Sequence, residues 1–200
     1  MSINVLYKTT KIILQLSLAT IALVSVQVHA ELKGSDVQAK NDVFSSVLDS
    51  RVSRYKKNLA KLAENPAIIA AVKESNKKGY SGNMNNSQWT ALAEDDPQVL
   101  KLNKNETGEL LAKFEQSRAF EKLNVRDAKG YLVVFSSSNT KPLVYNAAER
   151  PGFVNGLRGV WSASEIKPDP TTKKMAVQIA APIMDDGKAI GVIHSSVTAE

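Results

Sequence analysis

Few side chains in this sequence are of the kind that perform covalent chemistry. There is no cysteine among its 200 residues. This removes disulfides, thiolate zinc sites and cysteine nucleophiles together. The two histidines are His29 and His194. A metal site needs several converging ligands, and His194 stands alone on an apolar run, so no metal is expected. Ser136-Ser137-Ser138 lacks the G-x-S-x-G setting of a nucleophile elbow and has no evident histidine partner. No glycine-rich phosphate loop is present. The expectation is no catalytic residue, no cofactor and no enzyme. What remains is the chemistry of recognition. Arg150 and Arg158 are of the type that clamps a carboxylate with two parallel hydrogen bonds, and Tyr145 and Trp161 of the type that walls a pocket. Each has a plainer role open to it. Trp161 opens a strand and fits a core, where large aromatics dominate burial. Tyr145 can hold its loop down. The two arginines can be solvated, or paired with Glu149 and Glu165.

The elements that must position these residues lie mostly between Val125 and Val197. The chain there reads VRDAKGYLVVFSSS, then a polar loop, then VWSASEIKPDPTTKKMAVQIAAPIMDDGKAIGVIHSSV. Asp127-Ala128-Lys129-Gly130 separates two apolar runs and has turn chemistry, with Gly free to take φ > 0. Asp186-Gly187 is the pair that a tight hairpin prefers. From Met175 to Ile183 the odd positions are Met, Val, Ile, Ala and Ile, while Ala176, Gln178 and Ala180 are smaller or polar. That period of two predicts a strand with one buried face. Val160–Lys167, Lys174–Met184 and Ala189–Val197 therefore read as an antiparallel meander. Leu132–Ser137 is an earlier strand of the same sheet, which begins near Ala119.

Upstream, Met1–Ala30 reads as a targeting segment. Lys8 and Lys11 precede a mostly apolar run, Ile12–Val28, and Val28-His29-Ala30 offers small residues for cleavage after Ala30. The competing reading is an uncleaved anchor, although 17 residues span only ~26 Å as a helix. Both export the domain. Asp36–Glu64 carries Val37, Phe44, Val47, Leu48, Val52, Tyr55, Leu59 and Leu62 at steps of three, four and seven. This predicts one long amphipathic helix, capped by Ser35 or Asp36. Pro66–Ser75 is a short helix with Pro at its first position. Asn76–Ser87 is a loop, Gln88–Glu94 a helix capped by Ser87, Asp96-Pro97 the start of a turn, and Thr107–Arg118 a helix.

The totals limit the function classes. The composition, 43% hydrophobic and 23% charged, is that of a globular domain. The net charge is +6. Lysines occur as scattered pairs rather than a stripe interleaved with aromatics, so nucleic acid is not the expected partner.

In order and spacing, the strand, D-A-K-G, the strand ending in serines, the D-P-T-T turn, the long strand ending in A-P-I, then D-D-G and I-G-V-I resemble the PAS-like sensor domain called PDC or Cache. Arg126–Ser138 and Asp169–Val197 match closely, Asn139–Gly159 loosely. The resemblance implies an α+β fold: a long N-terminal helix and short helices packed on a PAS-like antiparallel sheet of about five strands. It implies 1–30 as signal peptide, 31–118 as the helical part and 119–200 as the sheet, with 31–200 forming one Cache-like domain. It further implies a small ligand, of the amino acid or organic acid class, held between the sheet and a cover at Thr140–Gly159. Tyr145, Arg150, Arg158 and Trp161 are then the ligand contacts, with Ser136 and Ser138 as weaker ones. Relatives often carry an acidic cluster before a Trp in this cover. Here Ala147-Ala148-Glu149 and Phe153 stand in that region, which removes one carboxylate. The resemblance implies an exported, periplasmic sensor, with homodimerisation through Val37–Leu62. The sequence shows no second hydrophobic span and no signalling domain, so a separate membrane partner is expected. The alternative is a ligand-free periplasmic accessory module that docks on a membrane kinase or transporter.

Overall fold

The computed structural model describes residues 49–79, 84–118, 120–170 and 172–199. The chain divides into two compact units at Ser50/Arg51. The leader, its cleavage site, the cap at Ser35 or Asp36 and the first part of the expected long helix lie outside the described residues.

Helix α1 (residues 49–63) buries Leu59, Leu62 and Ala63, while Arg54, Lys56, Lys57 and Lys61 stay exposed. A break at Glu64-Asn65 separates it from α2 (Pro66–Lys78), where Asn65 caps the Ala67 N–H and Pro66 fills the first turn. Ile68 and Val72, four apart, form its buried stripe. The helix runs three residues beyond the expected Ser75 and stops at Gly79, whose φ is +66. Asn76 is retained in the helix because its side chain bonds both neighbouring turns: Nδ2 donates to Ile190 O and Oδ1 accepts from Ala128 N.

Helix α3 is Asn86–Ala91 rather than Gln88–Glu94. Its cap is Asn85, in a reciprocal capping box with Gln88. Asp96-Pro97 opens a true helix, α4 (Pro97–Asn103), and α5 spans Glu106–Arg118.

Strands β1 (Glu121–Asp127), β2 (Leu132–Phe135), β3 (Ser162–Ala163), β4 (Lys167–Pro168), β5 (Met175–Asp185) and β6 (Lys188–Thr198) form one antiparallel sheet. The order is β2-β1-β6-β5-β3, with β4 also on β5. Both expected turns are present. Asp127 Oδ1 accepts from the Lys129 and Tyr131 N–H groups, and Gly130 takes φ +86. Asp186 and Gly187 both have positive φ, the signature of the primed hairpin turn.

The sheet is covered on both faces, which corrects the one-faced reading of β5. Cross-strand partners share a face. Ile183, Ala181, Ile179 and Val177 pair with Gly191, Ile193, Ser195 and Val197. Gly191 meets Val72 of α2 so closely that a Cβ there would stand 2.8 Å from Val72 Cγ1. Pro182, Ala180, Gln178 and Ala176 pair with Val192, His194, Ser196 and Thr198 on the opposite face. Ala176 and Ala180 are buried as fully as their apolar neighbours. A helix absent from the sequence reading covers that second face: α6 (Pro151–Leu157), within the expected loop 139–159.

Candidate functional site

Two glycines set how closely α6 approaches the sheet. Gly156 lies on Val192, where a Cβ would come within 2.6 Å of the valine Cγ1. Gly152, one turn earlier, faces Ala180, Ser162 and His194 at ordinary contact distances of 3.5 to 3.8 Å from the position of an added Cβ. Phe153, Ala147, Ala180 and Val192 form a buried cluster beneath the helix. A sequence with two glycines and a proline in seven residues has low helix propensity. Its one local signal is Pro151 at the first helical position.

The segment leading into α6 is held from the sheet by Arg126. Its guanidinium donates to Val144 O at 2.8 Å, Tyr145 O at 2.7 Å and Gly130 O at 3.1 Å. Burial, and then the nearby Arg150, bring its pKa down to about 10 against the opposing pull of Asp127 and Tyr145. It remains charged at neutral pH. From the other side, Asn86 of α3 accepts from Tyr145 N and Asn146 N, and Trp89 Nε1 donates to Pro142 O. Lys141 Nζ donates to the carbonyls of Trp89 and Leu92. Residues 141–147 are thus tied down.

A row of polar groups crosses the face beneath α6. Asn124 of β1 is the register partner of His194 on β6, which pairs with Ala180 on β5, which pairs with Ser162 on β3. Asn124 Nδ2 donates to Lys122 O. Its Oδ1 and the Nε2 of His194 are buried without a hydrogen-bond partner. Burial, reinforced by the Arg126 charge, pushes the His194 pKa down to about 3, so the ring is neutral. The next row is joined by hydrogen bonds. Gln178 Nε2 donates to Ser196 Oγ and to Asp169 Oδ2, and Asp169 pairs with Lys122.

The residues singled out from the sequence are dispersed. Tyr145 is buried beside Trp89, with ring centroids 5.0 Å apart, in a cluster with Val99, Leu132 and Phe135. Arg150 and Arg158 stand exposed at the two ends of α6. Trp161 is half-buried. Lys56 Nζ of α1 lies 4.7 Å from its ring centroid, and its Nε1 is buried without a partner. Ser136 and Ser138 both donate to Glu115 Oε2 at 2.6 Å, on α5. The structure sets Trp161 against Lys56 of α1, next in sequence to Ser162 of the polar row, and sets Ser136 and Ser138 against α5. Sequence reasoning missed Asn124, Arg126, Lys122 and Asp169. Arg126 and Asp169 open two of the matching segments, but only strand register places Asn124 and Arg126 on one face. Among the described residues no cluster of His, Cys, Asp or Glu could hold a metal ion, and no helix is long and apolar enough to cross a membrane.

No family model matches the chain, and no curated protein matches it. Solved structures do. The sensor domain of the histidine kinase DctB from Vibrio cholerae superposes with a TM-score of 0.57 at 16% identity, over 85% of this chain and 57% of that one. The ligand-binding domain of the Pseudomonas aeruginosa amino acid chemoreceptor PctC, in complex with GABA, gives 0.48 at 16% identity, over 79% and 58%. That of the Campylobacter jejuni chemoreceptor Tlp3, in complex with 4-methylisoleucine, gives 0.40 at 14%, over 75% and 59%. The chain thus spans a little under three fifths of the length of these domains. The first superposition shows the fold: the protein has the α+β fold of PDC/Cache-type domains, with helices on a six-stranded antiparallel sheet.

Proposed function

We propose that the protein is an exported, periplasmic sensory domain that binds a small polar ligand under α6 and passes the signal to a separate membrane partner. One observation carries the ligand reading. Asn124 Oδ1 and His194 Nε2 lie on paired residues, face α6, and are buried without partners. A buried polar atom left unbonded costs ~1–3 kcal/mol. A ligand that bonds both removes that cost. The amino acid or organic acid class is supported by the charge around them: Arg126 and Arg150 are close enough to repel each other, and His194 is neutral. A ligand carboxylate would offset that charge, with Arg150 turning inward from the helix end and Trp161 beside it.

The experiment is a thermal-shift screen of the purified protein against amino acids, organic acids, polyamines and nucleobases. A molecule bound only to the native state raises the melting temperature with dose. Arg150→Ala and Arg158→Ala, tested singly, should each weaken an acidic hit; unchanged affinity in both removes them from the site. Light scattering across concentrations tests homodimerisation through the first helix.

One observation favours the alternative, a ligand-free accessory module docking on a membrane kinase or transporter. Phe153 and Gly156 already fill the Val192 half of the face. Silence across the panel from a well-folded protein would select it.

A further inference from the structure

Lys122 is an anomaly in β1. It is one of three described non-glycine residues with positive φ, at +58. Left-handed backbone of this kind costs a side-chain-bearing residue ~1–2 kcal/mol. The β1–β6 register slips across it, between Glu121 and Asn124. The positive φ and the register shift form a bulge in β1. Lys122 Nζ pairs with Asp169 Oδ1, and the Asp169 side chain is 4% exposed against 26% for the lysine.

The carboxylate does not depend on that lysine for its position. Oδ1 accepts from Thr172 N at 2.9 Å and Thr172 Oγ1 at 3.3 Å, and Oδ2 accepts from Gln178 Nε2 at 3.2 Å. Gln178 is in turn bonded to Ser196 Oγ. Neutral donors on the β4–β5 connection and on β5 therefore hold a buried anion in place. Its cation arrives on a flexible four-carbon stem that solvent can reach. Gln178 and Ser196 lie on the α6 side of the sheet, one row from Ala180 and His194. Lys122 O is bonded by Asn124 Nδ2, so the backbone of Lys122 adjoins Asn124.

We propose that Lys122 is an internal plug: its ammonium occupies a preformed cation site at Asp169, and a small-molecule ammonium competes with it for that site. The proposal rests on the ligand reading above and adds its regulation. Expelling Lys122 would let β1 relax toward regular register beside Asn124. Ligand entry is thereby linked to the strand that also carries Arg126 and hence the approach to α6.

The test uses the full chain and two variants. Lys122→Gly removes the ammonium and suits the positive φ, since glycine adopts that region at no steric cost; Lys122→Arg keeps a cation. Binding of ethylamine, valinamide and valine, with sodium propionate as the amine-free control, is followed by calorimetry and dose-dependent melting temperature. The expected result is at least tenfold tighter amine binding by Lys122→Gly than by the parent, propionate unchanged, and Lys122→Arg close to the parent. Equal amine affinity in the parent and Lys122→Gly overturns the plug and leaves the ligand reading standing. Amines that bind Lys122→Gly while no panel member binds the parent support the plug and point to a self-occupied module. No amine binding by either protein overturns the plug, and silence of the parent across the whole panel as well overturns the ligand reading.

Discussion

Gly156 of α6 packs directly on Val192 of β6, and a Cβ on the glycine would stand 2.6 Å from the valine Cγ1. No other residue type fits at that spacing without moving the helix or the strand. Gly156→Ala is therefore expected to destabilise the fold by about 1–3 kcal/mol, the usual cost of overpacking. Val192→Ala should recover part of this in the double variant, because contacting sites are not additive. Urea denaturation of the four proteins in the cycle measures it. Additive losses would mean that α6 does not rest on this pair.

Arg126 joins three carbonyls in the approach to α6. Gly130 O and Tyr145 O each keep a backbone donor without it, from Ala147 and Leu132. Arg126→Met should cost about 1.5–3 kcal/mol, the range for hydrogen bonds to a charged group. It should also loosen residues 141–147 more than the sheet. Limited proteolysis with mass mapping reads the second effect as new cleavage inside that segment. Uniform loss of protection would count against a local clamp.

Glu115 gathers four donors. Oε1 accepts from Leu123 N and Asn139 Nδ2, and Oε2 from the Ser136 and Ser138 hydroxyls, all at 2.6 Å. Glu115→Ala should cost on the order of 3 kcal/mol, because these groups lose a buried charged acceptor. Glu115→Gln should cost less, since the serine hydroxyls can rotate to accept from the new amide. Equal losses in both variants, compared by chemical denaturation, would contradict the network.

His194 makes stability fall in acid. Its folded pKa is about 3, against an ordinary 6.5, because burial and the Arg126 charge disfavour the imidazolium. The unfolded chain therefore binds the extra proton between those values. Stability is complete above pH 6.5 and declines as pH drops toward 3, by at most ~1.4 kcal/mol per unit from this group. His194→Gln should flatten that part of the pH–stability curve, followed by urea unfolding at stepped pH. An unchanged slope would place the acid sensitivity elsewhere.

Much of the frame was legible along the chain because its causes are local. Asp127–Gly130 and Asp186-Gly187 are turns by their own chemistry, and Pro66 begins a helix that Asn65 caps; Asp96-Pro97, read as a turn, opens one as well. The misreadings also have local causes. Asn85 outcompetes Ser87 as the α3 cap because Gln88 closes the box. Helix α6 went unread because its glycines, unfavourable for a helix, are there to fit the sheet. Tyr145, Arg150, Arg158, Trp161, Ser136 and Ser138 were selected by residue type. Type says what a side chain can bind, not where it points.

By itself, then, the sequence determined the two long strands, the tight turns, the start of α2 and the absence of thiol chemistry. Each of these follows from residues within a few positions of one another. Only the tertiary structure decided that Asn124 faces His194, that Lys122 reaches Asp169 and that Arg126 holds the approach to α6. The physical reason is register. A slip of one residue between β1 and β6 would send each of these side chains to the opposite face of the sheet. That register is set by packing against α2 and α6, which no local stretch of sequence contains.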